Sequence, residues 1–186
     1  MARVRLRPIR PEDAEQCYLW VTDPDVGRYL GLVQPPVSVE QERAWIVQVM
    51  GDQCQRHFVI EDEGGRPVGT CGLRGIDPFE HTAHLGVLIG SRHDWGRGYG
   101  TAATRALLEY AFDQLHLESV RLSCHRDNRR ALRLYQKLGF QPSRHQLPKW
   151  TFGRLETRLA MTRHRWEQTR GPRPEPRAEG GSRVEE

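Results

Sequence analysis

The sequence predicts an α+β fold: one twisted, mixed β-sheet of about seven strands with helices packed on it. Three observations predict it. Stretches of alternating apolar and polar residues exchange with stretches of helical period in the order βααβββαβαββ. A Gly-rich tetrapeptide, Glu63-Gly64-Gly65-Arg66, joins two apolar runs as a hairpin. A second Gly-rich segment, 95–100, joins a strand directly to a helix.

The elements follow in order. Val4, Leu6 and Pro8 alternate with Arg3, Arg5 and Arg7, which suits a first strand. Pro11-Glu12-Asp13 places proline and two acids in the first turn of a helix reaching about Val21, and Asp23-Pro24 breaks it. Residues 31–36 read as a loop. Ser38-Val39-Glu40-Gln41 is a capping box for a helix carrying Ala44, Trp45, Val47, Val49 and Met50. Residues 56–61 and 67–73 form the hairpin, and 81–89 the next strand. The loop 90–100 leads into a helix to about Gln114, with Ala103, Leu107, Tyr110 and Ala111 on one face. Residues 119–124 are a strand. Ala131, Leu134, Tyr135 and Leu138 mark a helix over 128–138, and Phe140 and 155–161 supply the final strands.

With 186 residues the chain is one domain by length. Residues 1–168 are expected to fold, and 169–186 to form a disordered tail. The last 16 residues have Val184 as their one branched aliphatic, too little apolar surface to offset the entropy of ordering. No stretch approaches the roughly 20 apolar residues of a membrane span. The N-terminus is charged where a signal peptide has its apolar run, so a cytoplasmic location is expected, with no membrane partner. The 28 basic residues, all arginine except Lys137 and Lys149, exceed the 24 acids and give a net charge of +4. That excess suits an anionic ligand. The basic cluster Arg126, Arg129, Arg130 and Arg133 lacks the interleaved aromatics of a nucleic-acid surface, which argues against that partner. Four cysteines without a C-x-x-C pair point to reduced thiols. His81 and His84, at i and i+3, fall on opposite faces of a strand, so no metal site is expected.

The most informative segment is Trp95-Gly96-Arg97-Gly98-Tyr99-Gly100-Thr101. Alternate glycines at a strand-to-helix junction let backbone N–H groups converge, because no Cβ blocks the approach. The helix N-terminus behind them adds a positive dipole end, and together these suit a pyrophosphate. Arg97 can add a point charge. The spacing is G-x-G-x-G rather than a dinucleotide or P-loop motif.

Further along lies Asn128-Arg129-Arg130-Ala131-Leu132-Arg133-Leu134-Tyr135-Gln136-Lys137-Leu138-Gly139-Phe140. The two motifs at this separation resemble the GNAT superfamily of acetyl-CoA-dependent N-acetyltransferases. That family combines an R/Q-x-x-G-x-G/A loop with N-x-x-A-x-x-x-Y-x-K-x-G-F. Trp95 stands where the family has Arg or Gln. The W-G-x-G-Y variant is similar to the branch acting on the N-termini of ribosomal proteins. The resemblance covers residues 3–163. It implies a sheet splayed in the middle with helices on both faces, and acetyl-CoA lying in the splay.

Under that resemblance Val87, Leu88 and Ile89 pair with the pantetheine arm as an added strand does. Trp95, Gly96, Arg97, Gly98, Tyr99, Gly100 and Thr101 hold the pyrophosphate. Asn128 caps its helix, reaches the pantetheine, or does both. Arg130 is a candidate for the 3′-phosphate. Tyr135 is either a core residue on the apolar stripe or, as in similar enzymes, the acid that protonates the departing CoA thiolate. Many relatives carry a Glu base on the strand before the loop. The matching position here is His84, whose neutral imidazole can serve as base or simply make a structural hydrogen bond. Glu80 and Asp77 are the alternative bases, and solvent a third. The acceptor amine is expected near residues 29–36 and 77–80, as a protein N-terminus or as a small amine such as a polyamine, antibiotic or amino acid. A polyamine pocket calls for several acids, with Asp23, Asp25, Asp77 and Glu80 as candidates. A non-catalytic acetyl-CoA-binding module is the remaining reading. A homodimer is an assembly open to the chain.

Overall fold

The structure is a computed structural model that describes residues 2–30, 36–143, 149–151 and 154–170. Its strands are β1 (Arg5–Pro8), β2 (Gln55–Glu61), β3 (Pro67–Asp77), β4 (Thr82–Ile89), β5 (Ser119–His125), β6 (Gln141–Pro142), β7 (Lys149–Thr151) and β8 (Arg154–Thr162). The helices are α1 (Ala14–Thr22), α2 (Pro24–Gly27), α3 (Val39–Met50), α4 (Tyr99–Glu109), α5 (Arg129–Leu138) and α6 (Arg163–Thr169). A π-helical turn, Tyr110–Gln114, continues α4 to the end expected from the sequence.

The strands form one sheet in the order β1-β2-β3-β4-β5-β8-β6, with β7 also paired to β8. All pairs are antiparallel except β4 with β5. The expected mixed α+β sheet is therefore present, and the strand beyond seven is the three-residue β7. The β4–β5 pair runs only through Thr82↔Ser119, Ala83↔Val120 and His84↔Arg121. Beyond it β4 stays in register with β3 as far as Ile89, and β5 with β8 as far as His125. Each strand is held by its own half of the sheet, so the halves part without either losing its antiparallel ladder. This is the splay.

Strand alternation sends Leu85 and Leu88 of β4 to opposite faces. Leu85 joins the core made with Leu107 of α4, Phe112, Leu138 of α5 and Trp166 of α6. Leu88 joins a second core with Cys17 and Trp20 of α1, Val26 of α2 and Ile46 of α3. Helices thus cover both faces.

Several local expectations shift. Asp23 breaks α1 and also restarts the chain as α2, its carboxylate accepting from the N–H of Asp25 at 2.8 Å. Ser38 caps α3 through the N–H of Gln41, but the Gln41 side chain accepts from Val37, not from the cap residue. Only Glu42, Ile46 and Val49 of α3 are buried, while Trp45, Val47 and Met50 are exposed. Phe140 is a core residue, and β6 begins one residue after it.

Helix α6 has no counterpart in the sequence reading. Thr162 caps it, Trp166 is 1% exposed and stacks on Phe112 at 6.2 Å, and Arg170 pairs with Asp113 at 2.9 Å. The described fold therefore runs past residue 168 to Arg170. Residues 171–186 of the expected tail, and 31–35 of the expected loop, lie outside the described residues.

Candidate active site

A cavity of about 890 Å³ occupies the splay. It reaches from the start of α4, between the unpaired stretches of β4 and β5, to the sheet face under α2 and α3. Val87, Leu88 and Ile89 line it.

At one end β4 gives way to the glycine-rich turn. Gly96 and Gly98 have φ of +80° and +93°, a conformation that side chains disfavour. Gly98 is the N-cap of α4 and, being glycine, offers no side chain to the first-turn amides. Those amides and the dipole of an 11-residue helix face the cavity through Gly98, Tyr99, Gly100 and Thr101. A Cβ on Gly100 would meet Leu134 Cδ1 at 3.1 Å and Ile89 Cγ1 at 3.7 Å, so the turn is packed against its neighbours.

Trp95 and Gly96 also line the cavity. The Trp95 indole donates to the carbonyl of Ile89 at 3.0 Å, so that carbonyl is already engaged within the protein. Arg130 of α5 lies over the same indole, its guanidinium carbon 3.7 Å from the ring centroid, and lines the cavity. Arg97 does not. Its guanidinium reaches Asp94 at 3.3 Å, and Asp94 is gripped in turn by both terminal nitrogens of Arg66 at 2.8 and 3.0 Å. The point charge expected of Arg97 is thus directed at Asp94, and the cation that lines the cavity here is Arg130. Asn128 also lines the cavity, while its Oδ1 accepts from the N–H of Ala131 at 3.1 Å as the N-cap of α5.

Tyr135, one α5 turn on from Ala131, projects from the core into the same cavity. Its ring stands edge-on to Phe140, with centroids 5.5 Å apart. Burial holds its phenol well above the usual tyrosine range, so the hydroxyl keeps its proton.

Of the three expected proton acceptors, His84 alone lines the cavity. It is the last β4 residue paired with β5, flanked in register by Arg74 on β3 and Arg121 on β5. Partial desolvation, then Arg121, Arg74 and Arg158, push its pKa below the usual histidine value, so the imidazole is neutral at pH 7. Glu80 sits exposed in the turn before β4, outside the lining. The Asp77 carboxylate accepts from the N–H groups of Phe79 and Glu80 at 2.8 and 2.9 Å and serves that turn. Tyr29 and Leu30 line the cavity mouth, at the described edge of the expected acceptor loop.

The sequence reading missed His125, Ser123, Arg74 and Glu156. All line the cavity, and His125 is buried with no hydrogen-bond partner for Nδ1. Alternation along β5 places 121, 123 and 125 on one face, which was readable once a site on that face was suspected. Among the described residues no group of three His, Cys, Asp or Glu is placed to hold a metal, and no helix is long and apolar enough to cross a membrane.

Residues 3–141 match the family model described as an acetyltransferase (GNAT) domain. The chain is 32% identical over 145 residues to an uncharacterised N-acetyltransferase, p20, of Bacillus licheniformis, which covers 75% of this chain and 79% of p20. It is 28% identical over 137 residues to the spermidine N(1)-acetyltransferase of Escherichia coli K12, covering 74% and 72%. The fold superposes with a TM-score of 0.82 on the spermidine N-acetyltransferase of Vibrio cholerae, solved in complex with CoA and spermine. That match has 20% identity over 89% of this chain and 98% of the other.

Proposed function

Because the chain belongs to the GNAT acetyltransferase family, we propose that it moves the acetyl group of acetyl-CoA directly to a primary amine in a ternary complex. The observation that carries this reading is the splay itself. One cleft is lined by a helix N-terminus with no side-chain cap, by an unpaired strand edge and by a buried phenol that keeps its proton. These suit, in turn, a pyrophosphate, a pantetheine arm and a departing thiolate.

In this reading the amides of 98–101 and Arg130 hold the phosphates of acetyl-CoA. The β5-facing backbone of residues 85–89 lies along the pantetheine. The amine nitrogen attacks the thioester carbonyl carbon, and an N–H from that open edge stabilises the oxyanion. His84, neutral and at the inner end of the splay, takes the proton the amine must lose. The C–S bond then breaks, and Tyr135 gives its proton to the thiolate and regains one from solvent. Proximity in the cleft supplies much of the acceleration, and no acyl-enzyme forms. Cys71 and Cys124, both in the lining, are unsuited to that role because burial pushes Cys124 up to about 12 and Cys71 higher still. A cytoplasmic location would place the protein beside the acetyl-CoA pool.

The test is thiol release from acetyl-CoA over a panel of amines and N-terminal peptides, with mass spectrometry of the products. Tyr135→Phe is expected to lower kcat by about 10²–10⁴ while acetyl-CoA affinity stays near wild type. Thiol release from none of the amines, or a Tyr135→Phe variant with full kcat, would overturn the assignment.

A further inference from the structure

We infer that the acceptor amine carries a carboxylate, and that Arg74, Arg121 and Arg158 around His84 form the site that seats it. The inference rests on the acetyl-transfer reading above and names its substrate class.

The site is built by strand register. Arg74 on β3, His84 on β4 and Arg121 on β5 are direct cross-strand neighbours, so their side chains rise side by side from one face. On the next strand Arg158 pairs with Ser123, two residues on from Arg121 and on the same face. All three guanidiniums act electrostatically on His84. This face opens to solvent here: Arg74 and His84 are exposed and Arg121 and Arg158 half-buried.

Three facing arginines repel one another, and several arginines elsewhere in this chain are held by acids. Arg7 pairs with Asp13 and Glu61, Arg66 with Asp62 and Asp94, and Arg170 with Asp113. Among the described residues Arg74, Arg121 and Arg158 have no carboxylate within ion-pair distance. Of the segments outside the described residues, 31–35, 144–148 and 152–153 contain no Asp or Glu, while 171–186 contains four Glu. The uncompensated charge is not needed for the cofactor's pyrophosphate. Ile89 lies five positions along β4 from His84, roughly 16 Å of strand, before the glycine turn begins.

Three of the four acids proposed from the sequence for a polycationic amine are committed elsewhere. Asp23 caps α2, Asp25 pairs with Arg92, and Asp77 serves its own turn. None of these, nor Glu80, lines the cavity, and of the three arginines Arg74 alone lines it, with Arg121 and Arg158 standing beside it on the same sheet face. The lining carboxylates are Asp94, already held by Arg66 and Arg97, and Glu156. His125 adds an unpartnered buried Nδ1 to the same cavity wall, and an imidazole supplies no negative charge for an ammonium. A carboxylate held by the guanidinium forks would bring the amine on the same molecule to His84. The positive field there also favours the free amine over its ammonium form, which is the form that attacks. Free amino acids and peptides with an acidic residue next to the N-terminus share this chemistry.

The experiment compares matched acceptors in the thiol-release assay with the full-length chain. One arm pairs free amino acids with their amides. The other pairs C-terminally amidated peptides bearing Asp or Glu at the second position with their Asn or Gln counterparts. Spermidine is the polycationic control. At least a tenfold advantage in kcat/KM is expected for the carboxylate member in one arm, and that arm identifies the source. Arg74→Gln and Arg158→Gln should each collapse the ratio toward one by raising KM for the carboxylate acceptor, with KM for acetyl-CoA within about twofold. Turnover of spermidine above every carboxylate acceptor, or a ratio indifferent to both substitutions, overturns the inference while leaving acetyl transfer intact. Thiol release with no acceptor at all, spermidine included, overturns acetyl transfer and the inference together.

Discussion

The guanidinium carbon of Arg130 stands 3.7 Å from the centroid of the Trp95 ring. This contact joins the two motifs that carry the site, the glycine turn ahead of α4 and the first turn of α5. The indole between them also holds the Ile89 carbonyl at the end of β4. Trp95 therefore braces three elements at the glycine-turn end of the cleft. The cation–π contact and one hydrogen bond are each worth about 1 kcal/mol. Trp95→Ala should accordingly weaken acetyl-CoA binding by about tenfold in calorimetry. Trp95→Phe, which keeps a ring face for Arg130, should recover part of the loss. Equal affinity in both variants and wild type would show that Arg130 needs no support from the indole.

Gly100 offers a sharper probe of the turn. A Cβ there already crowds Leu134 at 3.1 Å, and the branched side chain of valine has to displace Leu134 or Ile89. Gly100→Val should lower acetyl-CoA affinity at least tenfold, with the far-UV dichroism spectrum retained. Undiminished affinity would remove this turn as the anion site.

The pH dependence of kcat/KM tests His84. Its folded pKa is depressed, first by desolvation and then by Arg121, Arg74 and Arg158. The imidazole stays an active base until pH falls below the ordinary histidine value of about 6.5, so the acidic limb should fall below that pH. Arg74→Gln removes one cation and should move the limb upward. His84→Ala should abolish it. Acceptors of different basicity separate the enzyme's limb from the substrate's, because the substrate's tracks the acceptor. A limb unmoved by His84→Ala would assign the proton to water or to the acceptor itself.

Trp166 ties α6 to the body. Its side chain is 1% exposed and stacked on Phe112, with Arg105 over the Trp166 ring and Arg163 over the Phe112 ring. Trp166→Ala should cost about 3–5 kcal/mol in denaturant unfolding, the range for large aromatics removed from a core. Truncation after Arg170 should leave the unfolding midpoint nearly unchanged, because residues 171–186 have little apolar surface to bury. A midpoint that falls on truncation would show that this segment docks on the body.

Features that depend on near neighbours in the chain are legible from the residues alone. The alternation of β1, the Ser38 cap, the glycines before α4 and the Asn128-to-Tyr135 spacing are all local. Their physics acts within a few residues: side-chain period, positive φ, and amides left over at a helix start. The expectation of the glycine turn and Tyr135 in one cleft rests on the resemblance these motifs carry rather than on local physics. Tertiary structure decided everything that needed strands or helices to meet. His84 rather than Glu80 faces the cleft because β4–β5 pairing ends at His84, and register is a property of two strands. Arg97 is drawn to Asp94 because Arg66, from the β2–β3 hairpin, holds that carboxylate close by, while Arg130 comes to Trp95 only when α5 packs beside the turn. Helix α6 shows little helical period, and its anchor Trp166 finds Phe112 only across the fold. The arginines around His84 come from β3, β5 and β8, elements distant in the chain, and only the sheet brings their charges together.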